Sequence, residues 1–227
     1  MRKNHTKILL YSHDTYGLGH LRRCYNIAKA IVAYNQDVSI LIITGSRVAG
    51  LFEYPNNVDF VKIPGVVKTG KNQYATQSLN VHFAEVIKIR HKIITSVAKE
   101  FKPHIFIVDK EALGLCNELL GALEYLKSIK SKIILGLRDI LDSPDVLSEE
   151  WRKKKTIETI SYYYKQIYIY GRSFFYNTLQ GLNLDANLQK LITYVGYMGP
   201  IDTPPIQEDT KKSPYYLVTS GGGQDGN

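Results

Sequence analysis

Residues 8–23 read ILLYSHDTYGLGHLRR, and this stretch decides the fold. Ile8-Leu9-Leu10-Tyr11 is continuously apolar, which suits a strand covered on both faces. Ser12 to Gly19 is polar and contains Gly17 and Gly19, which permit a tight turn and a close approach of backbone to a ligand. Beyond it Leu21, Cys24, Ile27, Ala28 and Ile31 recur at three- and four-residue spacing, so a helix is predicted over Leu21 to Tyr34. Strand, glycine turn and helix in that order make the first half of a βαβ unit.

The same rhythm continues outward. Buried strands are predicted at Val38–Ile43, Val58–Ile63, Ile105–Val108, Ile133–Leu137 and Gln166–Tyr170, and helices at Leu79–Phe101, Cys116–Ile129 and Val146–Tyr164. Alternating β and α elements with strands too apolar to alternate predict an α/β fold, a doubly wound parallel sheet of Rossmann-like type. Ligands should then meet the carboxyl ends of the strands. Residues 1–195 are expected to form this domain. Gly196, Gly199, Pro200, Pro204, Pro205 and Pro214 mark 196–214 as a linker. Tyr215–Thr219 and the glycine loop after it read as the first strand and turn of a second domain, only begun at residue 227, or alternatively as a flexible tail.

The chain has 227 residues, 44% hydrophobic and 22% charged, which excludes a disordered polymer. Two cysteines exclude a disulfide scaffold and a multi-cysteine zinc site, and Cys24 and Cys116 are both expected to be small buried thiols. No apolar run approaches the ~18 residues of a membrane span, and the basic start lacks an apolar signal core. A cytoplasmic protein is expected. Its formal charge of +8 favours an anionic partner. Zinc spacings, recognition helices and RNA-binding sheet motifs are missing, so no nucleic acid is expected.

Three strand ends carry candidate chemistry. The dinucleotide fingerprint needs a third glycine where Arg22 stands, which disfavours NAD. His20, at the strand–helix crevice, is either a base for a substrate hydroxyl or a helix-start histidine that packs or caps. Asp109 ends the Ile105–Val108 strand and should reach the same sheet edge, where a carboxylate fixes a histidine tautomer; otherwise it caps a loop. Arg138 and Asp139 end the next strand. Arg138 is a clamp for an anionic or hydroxyl-rich substrate, or pairs locally with Asp139 or Asp142. Gly65 to Asn72 mimics a P-loop, but Asn72 replaces the magnesium-binding hydroxyl, so a mobile basic loop over the strand ends is expected. Lys88–Lys92 and Trp151–Lys155 with Tyr162–Tyr164 read either as anionic-membrane contacts or as solvated helix faces with a few core aromatics.

Five strings together resemble the amino-terminal half of a two-domain GT-B glycosyltransferase: YSHDTYGLGHLRR at 11–23, IFIVDKEALGL at 105–115, LGLRDILDSP at 135–144, YVGYMGP at 194–200 and YYLVTSGGGQDG at 215–226. The likeness is greatest to predicted glycosyltransferases of the MurG and UDP-glucuronosyltransferase-like group. It implies that His20 is a general base at the acceptor site and Asp109 its orienting partner. Gly17, Gly19, Arg138 and Asp139 would then border the acceptor, and Gly221, Gly222 and Gly223 would face the donor phosphates. It implies a nucleotide-diphosphate sugar as donor substrate, a hydroxyl acceptor (glycan, lipid or small molecule), no metal and no cofactor. It also implies a donor-binding half, in the same protein or as a separate subunit, without which the chain would be inactive. Two other classes compete: a non-catalytic glycan- or lipid-binding module, including the anchoring subunit of a split transferase at the inner membrane face, and a UDP-sugar epimerase.

Overall fold

A computed structural model describes residues 5–15, 18–70 and 73–199. The principal sheet contains β1 (Thr6–Tyr11), β2 (Val38–Thr44), β3 (Val58–Lys62), β6 (Ile105–Asp109), β7 (Lys132–Arg138), β8 (Gln166–Tyr170) and β9 (Ile192–Tyr194). Their order is β3-β2-β1-β6-β7-β8-β9 and every pairing is parallel. The chain winds outward from β1 in one direction, then returns and winds in the other from β6. The strand order therefore reverses between β1 and β6, which is where such sheets open a crevice at their carboxyl edge.

The continuous apolar strands are explained by packing on both faces. Ile8 and Leu10 of β1 pack with Leu21, Cys24 and Ala28 of α1 (Gly19–Tyr34) on one side. Leu9 and Tyr11 pack on the other with Ile94 and Ala98 of α2 (Phe83–Phe101) and with Ala122 and Leu123 of α3 (Leu120–Ser128). Removing both faces from water stabilises by ~25 cal/mol for each Å² of apolar surface, and an extended strand supplies both faces at once.

The boundaries depart from expectation where the backbone turns left-handed. Residues 116–129 do not make one helix, because Gly114 (φ 69°), Cys116 (φ 49°) and Asn117 (φ 63°) form a tight turn before α3. The turn leaves the Cys116 thiol exposed, correcting its reading as a buried group; Cys24 is buried as expected. Similarly, Lys155 at φ 50° splits the helix expected over 146–164 into α4 (Pro144–Lys153) and α5 (Thr156–Tyr163). The basic loop after Pro64 is a hairpin, β4 (Val66–Gly70) with β5 (Gln73–Thr76), whose Val66 is buried against Val86 and Leu115. Strand geometry at 66–70 removes the P-loop reading.

The lysine-flanked aromatics also resolve. Trp151, Tyr163 and Tyr164 are buried and only Tyr162 of the four is exposed, so they cannot form an interfacial aromatic belt. No helix among the described residues is long and apolar enough to cross a membrane. Gly17, Gly221, Gly222, Gly223, most of the expected linker and the whole expected second-domain opening lie outside the described residues.

Candidate functional site

The site is built on the two strands that flank the reversal. β1 ends at Tyr11 and the chain crosses the sheet edge to α1, whose second residue is His20. β6 ends at Asp109, beside β1 in register, with Tyr11 opposite Val108. The two segments therefore deliver a histidine and a carboxylate to one edge from 89 residues apart in sequence. His20 Nδ1 hydrogen-bonds Asp109 Oδ2. Asp109 is 2% exposed and His20 17%, so the carboxylate is fixed in the interior while the ring reaches the surface. Among the described residues, nothing lies within 4 Å of where a Gly19 side chain would stand.

Asp109 is held from a second side. Arg23, one turn after His20 on α1, donates from Nη1 to Asp109 Oδ1 at 2.7 Å. Its guanidinium lies 5.5 Å from the centre of the Tyr170 ring, at the end of β8. Burial opposes the Arg23 charge, but Asp109 more than restores it and holds the guanidinium above its ordinary value. A buried carboxylate with one cation and one imidazole has both oxygens satisfied, so its orientation is set before any ligand arrives.

Tyr11 at the end of β1, and His13 and Asp14 in the loop that follows it, belong to the site and carry no obvious pattern in the sequence. The His13 ring packs edge-on against His20, centroids 5.8 Å apart. Burial, then the nearby Lys110, His20 and Arg90 charges, keep His13 well below the ordinary histidine value, so it is neutral. Asp14 accepts from Ser12 Oγ at 2.9 Å, Thr44 Oγ1 at 2.5 Å and Gly45 N–H at 3.2 Å, and so ties the loop to the end of β2. Burial raises the Asp14 carboxyl above its usual range, and the Thr44 and Ser12 hydroxyls oppose that rise. Tyr11 donates to Glu118 Oε1 at 2.5 Å. Glu118 in turn receives Arg90 Nε at 2.5 Å and Nη2 at 2.6 Å, a bidentate pair in the core beneath the loop. Arg90 is fully buried, which corrects both the membrane-facing and the solvated reading of residues 88–92 at that position.

Arg138 and Asp139 lie at the same edge, at the end of β7, but not in contact with the dyad. Arg138 is exposed and donates from Nη2 to the Leu141 carbonyl at 3.0 Å; it pairs with neither Asp139 nor Asp142. Asp139 is engaged locally, its carboxylate by Ile140 N–H at 2.9 Å and its carbonyl by Thr178 Oγ1 at 2.6 Å. Among the described residues no group of three His, Cys, Asp or Glu side chains is placed to hold a metal ion.

No protein-family model matches the chain, and no curated protein matches it in sequence. Solved structures do match in fold. One is a UDP-glycosyltransferase-type transferase from Siraitia grosvenorii in complex with UDP, with a TM-score of 0.53 and 9% identity over 88% of this chain. A glycosyltransferase from Rickettsia africae has a TM-score of 0.52 and 13% identity over 85%. Anabaena HepE in complex with UDP-glucose has a TM-score of 0.50 and 14% identity over 86%. The chain spans about half the length of these proteins: 52%, 43% and 44% respectively. Its sheet and flanking helices have the fold of the N-terminal domain of GT-B enzymes.

Proposed function

We propose that this chain is the acceptor-side half of a glycosyltransferase that moves a sugar from a nucleotide-diphosphate donor to an acceptor hydroxyl. The observation that carries this reading is the His20–Asp109 pair at the strand-order reversal. Asp109 accepts the hydrogen bond of Nδ1–H and fixes that tautomer, so Nε2 keeps its lone pair for a substrate. Nε2 removes the acceptor O–H proton as that oxygen attacks the anomeric carbon. The new bond is oxygen to anomeric carbon; the bond that breaks joins that carbon to the diphosphate oxygen, which leaves with the electron pair. The imidazolium formed is stabilised by the Asp109 charge. Such general-base assistance supplies ~10²–10⁴-fold in rate.

The leaving diphosphate needs donors that balance its charge. The N-terminus of α1 has no side-chain cap and no acidic residue in its first turn, so its amides remain available. Gly221, Gly222 and Gly223 are proposed as the opposing donor loop, residues 215–227 as the start of a donor-binding domain, and 196–214 as the linker to it. Gly17 and Gly19 would leave room for the acceptor. The grouping with MurG rests on the residue strings alone. The +8 charge suits delivery of the acceptor at an anionic inner-membrane surface.

A panel of nucleotide sugars and hydroxyl acceptors, presented to the protein with its donor-binding half, tests the reading by product formation. Donor consumption coupled to a glycosylated acceptor supports it. Epimerised nucleotide sugar, or acceptor binding without turnover, would replace it with one of the competing classes.

A further inference from the structure

A cavity of about 750 Å³ opens along the carboxyl edge on the β6–β7 side of the dyad, lined in part by Lys68, Tyr74, Lys110, Arg138 and Trp151. His20 and Asp109 do not line it, although Lys110 directly follows Asp109. Its volume suits a small organic ligand. The charges around it are unequally engaged. Lys154 holds Glu111 at 2.9 Å and Glu150 at 2.6 Å, and Lys153 and Arg152 hold Glu149 at 3.0 Å each. Asp142 accepts the Ser143 N–H at 3.0 Å, and Asp145 sits exposed in the first turn of α4. Among the described residues, the Lys68 and Lys110 ammonium groups have no hydrogen bond or ion pair, and Arg138 makes only its bond to the Leu141 carbonyl.

Two features make Lys110 more than a surface lysine. Its backbone is left-handed at φ 71°, a conformation that costs about 1 kcal/mol or more in a non-glycine residue. Its ammonium is pushed down by burial and by Arg138 and Lys68, while Glu111 and Glu150 pull it back up. Three cations therefore line one cavity without an ion-paired carboxylate among the described residues, although Asp142 and Asp145 line it too, and one of the three, Lys110, is partly desolvated. The hairpin that supplies Lys68 is tied to the dyad loop, because Lys68 N–H donates to the Thr15 carbonyl at 3.2 Å.

We propose that Lys68, Lys110 and Arg138 form a phosphate-binding subsite, which receives a phosphate group carried by the acceptor while Tyr74 and Trp151 flank the body of the ligand. The assignment to the acceptor rests on the transferase reading; the phosphate binding does not.

The test is titration of the full chain with inorganic phosphate and with phenyl phosphate, followed by calorimetry and by amide shifts. Phenyl phosphate should bind more tightly than inorganic phosphate, and the shifts should centre on Lys68, Lys110 and Arg138. Lys110→Gln and Arg138→Gln should each weaken phenyl phosphate about tenfold, as expected for loss of one charge-assisted contact. His20→Ala should bind it as the wild type does. Failure of either anion to bind at millimolar concentration overturns the subsite, as do shifts centred elsewhere in the wild-type protein. These shifts need no variant to fold. Phosphate binding by a protein that transfers no sugar would leave the subsite standing and remove the transferase reading.

Discussion

Arg23 and His20 hold opposite oxygens of one carboxylate: Arg23 Nη1 meets Asp109 Oδ1 at 2.7 Å, and His20 Nδ1 meets Oδ2. The two residues are three apart on α1, so one helix face supplies both contacts. Arg23 neutralises part of the charge that would otherwise stabilise the His20 imidazolium.

Arg23→Gln should lower kcat about tenfold with little change in KM, because it frees the orientation of Asp109 without touching substrate. Arg23→Lys, which keeps a cation beside Asp109, should recover most of the lost rate. Steady-state kinetics with all three proteins check the claim: a change in KM alone, or no recovery in Arg23→Lys, would contradict it.

Asp109→Leu should release the ring. The ¹⁵N shifts of His20 should report an Nδ1-protonated neutral tautomer in the wild type and an Nε2-protonated majority in the variant. The measurement needs no substrate and no donor half.

His13 makes stability pH-dependent. Its folded value lies well below the ordinary 6.5, so below that pH the unfolded chain binds a proton that the folded chain does not. Stability from this group is intact above about pH 6.5 and falls as pH drops beneath it, by up to ~1.4 kcal/mol per pH unit. Urea unfolding at a series of pH values should show that slope, and His13→Gln should flatten it.

The Arg90–Glu118 pair should be costly to break and cheaper to replace. Glu118→Gln leaves a buried guanidinium without its counter-charge and should destabilise by ~3–5 kcal/mol. Arg90→Met with Glu118→Gln should cost less than the sum of the single changes, because no buried charge then remains unpaired. Urea midpoints of the four proteins make the comparison.

The sequence carried the wound sheet plainly, because strands buried on both faces have no polar positions to blur them. Ile8 to Tyr11 and Ile105 to Val108 illustrate this. It also carried His20 and Asp109, since residues at the ends of such strands must share an edge. Gly114, Cys116, Asn117 and Lys155 break helices by left-handed backbone turns, and two of the four, Cys116 and Lys155, are residue types with no bias toward that conformation. β9 is three residues long and leaves too little pattern to detect. Arg90 read as one charge in a basic run because its partner, Glu118, lies 28 residues away. Arg23 was hidden for the same reason: an arginine after a histidine says nothing about a carboxylate 86 positions further on.

The most direct test of the transfer chemistry is turnover by His20→Ala in the two-domain protein proposed above, with folding checked by thermal melting. The account predicts a protein that still unfolds cooperatively, its melting temperature lowered by a few degrees because Asp109 Oδ2 loses its partner, and a loss of ~10²–10⁴-fold in sugar transfer. Wild-type turnover in that variant would contradict it and remove His20 from the mechanism.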